Sequence, residues 1–352
     1  MMKKRSPFVL LIMLFLQQFC YAQKQQTFTN PLLPSGADPY SFYKDGYYYY
    51  TNTLQNKLEL WKTQNLADLK TAEHKTIWVP PPGTAYSKEI WAPEFHFIKG
   101  KWYAYFAADD GNNNHHRTYV LENASSDPFQ GEWVFKGKVA APSDKWAIDS
   151  DVFTKKGKLY MIWAGWEGDV NGRQNIYIAK MKNPWTIKKK RVMISTPTYS
   201  WEKNGDLNSS DNPSHVDVNE GPQYLKHDGK IFIIYSASGC WTDFYALGML
   251  TASAKSNLLK PSSWKKSPQP VFKQAPENGV YAPGHNSFFK SPDGTEDWIL
   301  YHANSEPGQG CGLERSPRAQ KFTWNKDGTP DFGEPVKAGV PIAIPSEKNL
   351  RD

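Results

Sequence analysis

The sequence predicts an all-β, five-bladed β-propeller, and three observations carry that prediction. One pattern is written five times: an apolar strand, a turn ending in glycine, and a second strand rich in aromatic and β-branched residues. The repeats open at Asp38, Ala92, Asp149, Glu220 and His285. From opening to turn glycine the distance is eight residues in the first three repeats and nine in the last two. Helical periodicity of any length is absent once the N-terminal apolar run has ended. Strands recurring in blocks of this size, with no helices between, point to radially repeated sheets. The rival, a two-sheet sandwich, has no need of five equivalent hairpins.

The chain starts with Lys3, Lys4 and Arg5, runs apolar from Phe8 to Leu16, and reaches Cys20, Tyr21 and Ala22. That is an export signal with cleavage expected after Ala22, and its apolar run is too short to span a bilayer. Lipid attachment at Cys20 is the alternative, opposed by the bulky Phe19 before it. Residues 23–352 are then expected to form one propeller domain, secreted or periplasmic. Gln23 to Phe28 reads as a polar tail, and Asn30 to Gly36 as the loop that delivers the chain to Asp38.

In the first repeat Asp38 to Gly46 leads into Tyr47–Tyr50, and Leu58 to Trp61 alternates as a third strand. The second opens at Trp91 and returns to Phe106, followed by a polar loop, Asp109 to His116, and a strand, Thr118 to Leu121. The third returns to Trp163, with a loop at Ala164 to Asp169 and a strand at Asn175 to Lys180. Thr198 to Asn212 is polar and reads as a long loop. The fourth repeat returns to Ser236, then passes Ser238 to Thr242 and a strand at Ala246 to Thr251. The fifth returns to Tyr301, then passes Gly308 to Arg315 and a strand at Gln320 to Trp324. Asn325 to Pro330 is a turn.

Composition narrows the function. The formal charge of +7 includes the three basic residues of the signal, leaving 39 basic against 35 acidic residues, +4. No long Lys/Arg run accompanies the pI near 9.0, which argues against nucleic acid as partner. There are 14 Trp, 19 Tyr and 18 Phe, enough aromatic surface for blade packing and for stacking on sugars. Most of them are expected in the core. Two cysteines remain after the signal, Cys240 and Cys311, and no Cys/His group has zinc spacing.

In a propeller the innermost strand of each blade runs along the axis. Asp38, Asp149, Glu220 and His285 are expected at one equivalent place, converging on one mouth from four blades. The second blade offers the small Ala92 there, flanked by Trp91 and Glu94. Return strands end on the same face. Loops at Asn52, Asp109 to His116, Ala164 to Asp169, Gly239 to Trp241 and Ala303 to Gly312 should therefore rim the mouth. Trp91, Trp166 and Trp241 are the aromatic candidates for substrate contact. Three carboxylates in a concave site suit glycosidic bond cleavage. One donates a proton to the leaving oxygen, one activates water, and a neighbour keeps the donor protonated by repulsion. A lone Asp in such a turn is more often a cap. Polar residues at one phase of several repeats are harder to explain that way.

These motifs resemble glycoside hydrolase family 43. They are Ala37-Asp38-Pro39, Trp91-Ala92-Pro93-Glu94, Ile148-Asp149, Glu220-Gly221-Pro222 and Pro283-Gly284-His285. The resemblance runs from Asp38 to about Pro335. Longer runs, among them Lys88 to Glu94, Phe106 to Gly111, Tyr235 to Trp241 and Arg315 to Trp324, are similar to the family's exo-acting α-1,5-L-arabinofuranosidases. One departure is Asp149-Ser150-Asp151, where the family commonly has Asp-Pro; strand alternation favours Asp149 over Asp151. The resemblance implies Asp38 as general base, Glu220 as general acid, Asp149 as the group that tunes the acid, and inversion at the anomeric carbon. It implies that Arg315 holds the sugar, and that His285 faces a calcium ion in the channel that the chemistry does not need. Arabinose-containing plant polysaccharide is then the expected partner. A β-xylosidase, an endo-arabinanase and a non-catalytic sugar-binding propeller are the alternatives. Cys240 and Cys311 follow the return strands of neighbouring blades beside glycines; they are either a disulfide, which export permits, or two separate thiols.

Overall fold

The computed structural model describes residues 26–208, 210 and 213–347. The expected signal and its cleavage point lie outside them. Five antiparallel sheets follow one another along the chain, each running from its innermost strand outwards. The innermost strands are Tyr40–Lys44, Lys88–Ile98, Ala147–Lys155, Asn219–His227 and Tyr281–Lys290. Four sheets have four strands, and the third has a fifth, Val192–Ser195. Only short 3-10 turns interrupt the strands among the described residues. Four of the inner hairpins close through a residue-glycine pair with positive φ at both positions: Asp45-Gly46, Lys99-Gly100, Lys156-Gly157 and Asp228-Gly229. That is the twist-compatible turn which favours glycine at its second position.

Alternation along the middle strands joins the blades. Tyr48 and Tyr50 pack against Leu300 and Ala319 of blade 5, while Tyr49 between them packs against Phe95 and Trp102 of blade 2. Ile231 and Ile233 face blade 3, and Phe232 and Ile234 face blade 5. Each pair of neighbouring blades thus shares one apolar cluster, and most of the aromatic residues are spent there, as expected.

The ring is closed by a segment read as a tail. Thr27–Thr29 is a strand paired antiparallel with Pro341–Ala343. Phe28 packs beside Trp298, and the Asn30 side chain both donates to and accepts from the backbone of Ala319. Polarity concealed this strand, because only Phe28 of its three residues is buried.

Candidate active site

The mouth is shaped by one backbone device used in all five blades. The chain turns left-handed at Asp38, Ala92, Asp149 and His285, with φ of 55°, 44°, 56° and 46°, and in blade 4 at Gly221, with φ of 54°. Pairing registers slip between Trp91 and Glu94, Ile148 and Asp151, Glu220 and Gln223, and Gly284 and Ser287. Such bulges re-aim side chains. The blade 4 equivalent of Asp38 and Asp149 is therefore Gly221, and Glu220 stands one residue before it. This corrects the expected common phase. The nine-residue count from Glu220 to Gly229 becomes eight when taken from Gly221.

The three carboxylates still converge. Asp38, Asp149 and Glu220 line one cavity of about 330 Å³ together with His285, Arg315, Trp91 and Trp241. Asp38 accepts a hydrogen bond from Thr53 Oγ1 at 2.6 Å, and its Oδ1 lies 3.3 Å from Arg315 Nη1 and 3.2 Å from His285 Nδ1. Its backbone N–H donates to His302 Nδ1 at 3.0 Å. Burial acts to raise Asp38, but His285, Arg315, His302 and the Thr53 hydroxyl outweigh it and hold the carboxyl well below the usual range. Burial also lowers both imidazoles, so near neutral pH Arg315 carries the lasting positive charge beside Asp38.

Glu220 behaves oppositely. Burial, reinforced by the charge of Asp38 and opposed by Tyr245 and Arg315, pushes it up to about 7. Tyr245 donates to Glu220 Oε1 at 2.7 Å. Asp149 accepts the Gly221 N–H at 2.9 Å, and burial together with Glu220 and Asp38 raises it well above its ordinary value. Asp149 and Glu220 thus titrate as a pair that resists double ionisation. Asp151 points elsewhere: the register slip between Ile148 and Asp151 separates it from Asp149, and it accepts the Tyr224 N–H and neighbours His96.

Trp91 lines the cavity with its indole N–H donated to Gln55, and Trp241 does so with its N–H donated to the Asp206 carbonyl. A side chain at Gly239 would meet the Trp241 ring at 2.3 Å, so only glycine fits there. Trp166 is a correction. It is 1 % exposed and does not line the cavity; it stacks at 4.7 Å on Trp146, which does. Asn171 and Gln174 line the cavity in place of the loop Ala164 to Asp169, Leu207 joins from the long polar segment, and Val216 from just beyond it. Thr53, Trp146, Tyr245 and His302 were not singled out from the sequence. Trp146 lies three residues before Asp149 and was open to notice; nothing local marks Tyr245 or His302. Cys240 and Cys311 form a disulfide, Cα–Cα 5.2 Å, and both line the cavity.

His285 also borders a narrow hollow further along the axis, lined by Tyr40, Glu94, Gln223 and Asn286. Asn286 is buried, and neither polar atom of its side chain has a partner among the described residues. Glu94, His96 and Asp151 bring ligand atoms within 4.8 Å of one another beside it. The oxygens of Glu94 and Asn286 suit a hard cation such as calcium, whereas His285 has Nδ1 turned to Asp38.

A five-bladed propeller with an ionised and a protonated carboxyl in one aromatic-walled cavity has the form of an acid–base glycoside hydrolase. The chain belongs to glycosyl hydrolases family 43, whose family model matches residues 28–330. It is 43% identical over 339 residues to an extracellular exo-α-(1→5)-L-arabinofuranosidase of Streptomyces avermitilis, covering 94% of this chain and 68% of that protein. A protein of the same description from Streptomyces chartreusis is 39% identical, over 80% of this chain and 84% of its own length. Among solved structures, an α-L-arabinofuranosidase from Lactobacillus brevis superposes with a TM-score of 0.81 at 40% identity, covering 89% of this chain and 98% of that one.

Proposed function

We propose that this glycoside hydrolase is an exo-acting α-L-arabinofuranosidase that releases terminal α-L-arabinofuranose, with inversion, from arabinan or arabinose-decorated polysaccharide. The observation that carries the reading is that Asp38 and Glu220 line one cavity in opposed settings, Asp38 beside the Arg315 guanidinium and Glu220 buried against the Tyr245 hydroxyl. Asp38 takes a proton from a water molecule as the water oxygen attacks the anomeric carbon. Glu220 gives its proton to the glycosidic oxygen as that bond breaks, so the products are a free sugar and a free hydroxyl on the remainder. Asp149 holds the backbone beside Glu220 and opposes its ionisation. Arg315 fixes Asp38 and the sugar hydroxyls near it, and the indoles of Trp91, Trp146 and Trp241 supply the apolar walls.

The names of the relatives support the arabinoside and the site of action outside the cell. Export through residues 1–22 is part of the proposal, and no helix among the described residues is long and apolar enough to cross a membrane. A calcium ion in the axial hollow is a further part: Glu94 and Asn286 would hold it, it would supply positive charge, and no step passes through it. Incubation with α-1,5-linked arabino-oligosaccharides tests the activity. Arabinose appearing as the first product, one unit at a time, is expected. Release of internal fragments, or preference for a β-xyloside, would replace the reading.

A further inference from the structure

Blade 2 carries a second group of ionisable side chains, outside the catalytic cavity and behind the Trp91 wall. Glu89, Asp109 and His116 bring one ligand atom each within 4.8 Å of one another. Asp109 and His116 are completely buried, while Glu89 is half-buried and gives the group an edge on solvent. Glu89 sits in the bulged start of the strand Lys88–Ile98, with its backbone left-handed at φ 45°. Asp109 ends the neighbouring strand Lys101–Asp109, and His116 closes the loop that follows.

Hydrogen bonds fix which atoms face inward. His116 Nε2 lies 3.1 Å from the backbone oxygen of Glu89. A carbonyl only accepts, so Nε2 carries the hydrogen. With that hydrogen on Nε2, a neutral ring presents a bare lone pair on Nδ1. The Gly111 N–H occupies Asp109 Oδ1 at 2.8 Å, leaving Oδ2 to face the ring. Nδ1 and Oδ2 then stand 3.0 Å apart, yet neither has a hydrogen-bond partner among the described residues. Glu89 adds a second carboxylate to the same space. Three acceptors crowded together repel, and a positive ion between them removes the repulsion. A histidine whose far N–H is tied to a backbone carbonyl is also held in the tautomer that ligates metal.

We propose that Glu89, Asp109 and His116 bind one divalent transition-metal ion of the zinc class. Two carboxylate oxygens and one imidazole nitrogen suit zinc, whereas calcium prefers six to eight oxygens. The ion's role is structural. The His116 ring stacks on Trp91 with centroids 4.0 Å apart, and meets Trp146 edge-on at 6.3 Å. Both indoles line the catalytic cavity, so an ion on Nδ1 fixes the ring that supports two of its walls. The rival occupant is a proton held between Glu89 and Asp109, whose carboxylate oxygens lie within 4.8 Å of each other.

The test uses the mature chain, stripped with a chelator and titrated with zinc, manganese or calcium chloride by calorimetry and by thermal melting. Wild-type protein should bind one zinc ion per chain and melt higher with zinc than with calcium. Glu89→Gln, at the half-buried position, should fold and bind zinc at least tenfold more weakly. Glu94→Gln, in the separate axial group, should bind it as wild type does. Three results would overturn the proposal: no zinc binding, zinc binding unchanged in Glu89→Gln, or zinc binding lost only in Glu94→Gln. Because every readout is binding or melting, the outcome is independent of which glycoside the enzyme cleaves.

Discussion

Gly221 donates its backbone N–H to Asp149 at 2.9 Å. This bond ties the strand opening of blade 4 to that of blade 3, and it lies one residue from the proton donor Glu220. The left-handed φ of 54° at Gly221 makes the bend and favours glycine there. Asp149 therefore acts on Glu220 through charge and through backbone position. Asp149→Asn can still accept the Gly221 N–H but removes one carboxyl of the buried pair that resists double ionisation. Its activity should fall, and the alkaline limb of its pH–rate profile should move to lower pH. An unchanged profile with reduced kcat would leave Asp149 a purely positional part.

The wild-type profile follows from the same two shifts. Asp38 is held well below the usual carboxylate range, so the base is ionised throughout mildly acidic and neutral solution. Glu220 is pushed up to about 7, so the acid keeps its proton until then and loses it above. kcat/KM should be flat from mildly acidic pH to about 7 and then decline about tenfold per pH unit. A rate still rising through pH 8 would contradict the assignment of Glu220 as acid.

Asp38→Ala and Glu220→Ala should each fold and lose about 10²-fold or more of activity on a natural oligosaccharide. A nitrophenyl arabinoside should partly spare Glu220→Ala, since that leaving group departs without much protonation. Asp38→Ala should remain impaired on both substrates. Proton NMR of the first product should show β-arabinose from the α-linked substrate. α-Arabinose appearing first would give Asp38 a covalent role.

The architecture was legible because a radial fold repeats its own grammar. Five strand–turn–strand units, with residue-glycine turns eight or nine residues after each opening, marked blade number and the mouth. Alternation in Tyr48, Tyr49 and Tyr50 was visible as strand, although which neighbour each ring serves needs the ring closed. Two things were hidden. Glu220 reads as in phase with Asp38 because a bulge changes the count by one residue without changing residue type. Trp166 reads as a rim residue because its loop does reach that face, but Trp146 lies between it and the cavity. Tyr245, just before the strand Ala246–Ser253, and His302, within the strand Asp297–Asn304, have no motif of their own, and only packing shows them touching Glu220 and Asp38.

Trp146 should matter more than Trp166 for substrate. Trp146→Ala removes a cavity wall and the partner on which Trp166 stacks at 4.7 Å. KM should rise severalfold. Trp166→Phe keeps a ring under Trp146 and should change stability more than KM. The opposite ranking would return Trp166 to the substrate.

The disulfide makes the last prediction, because it joins two loops that meet at the cavity. Cys240 precedes Trp241, and Cys311 lies four residues before Arg315. The bond closes a segment with a sequence separation of 71, and loops of that size gain about 4 kcal/mol from cross-linking in the chain-entropy account. Other contacts already hold the blade 5 loop: the Gly308 N–H donates to Asp243 at 2.8 Å, and the Asn304 side chain donates to the Gly310 carbonyl at 2.9 Å. Loss of the bond should therefore loosen the two loops without releasing them. The double variant Cys240→Ser, Cys311→Ser should lose about 2–4 kcal/mol of stability by denaturant melting. KM should rise while kcat changes less, because Trp241 and Arg315 sit on the tethered loops and Glu220 does not. Titration of the unfolded, unreduced mature protein should find no free thiol. Two free thiols would show that the bond does not form. A variant with normal KM and lowered stability would confine the bond to holding the fold.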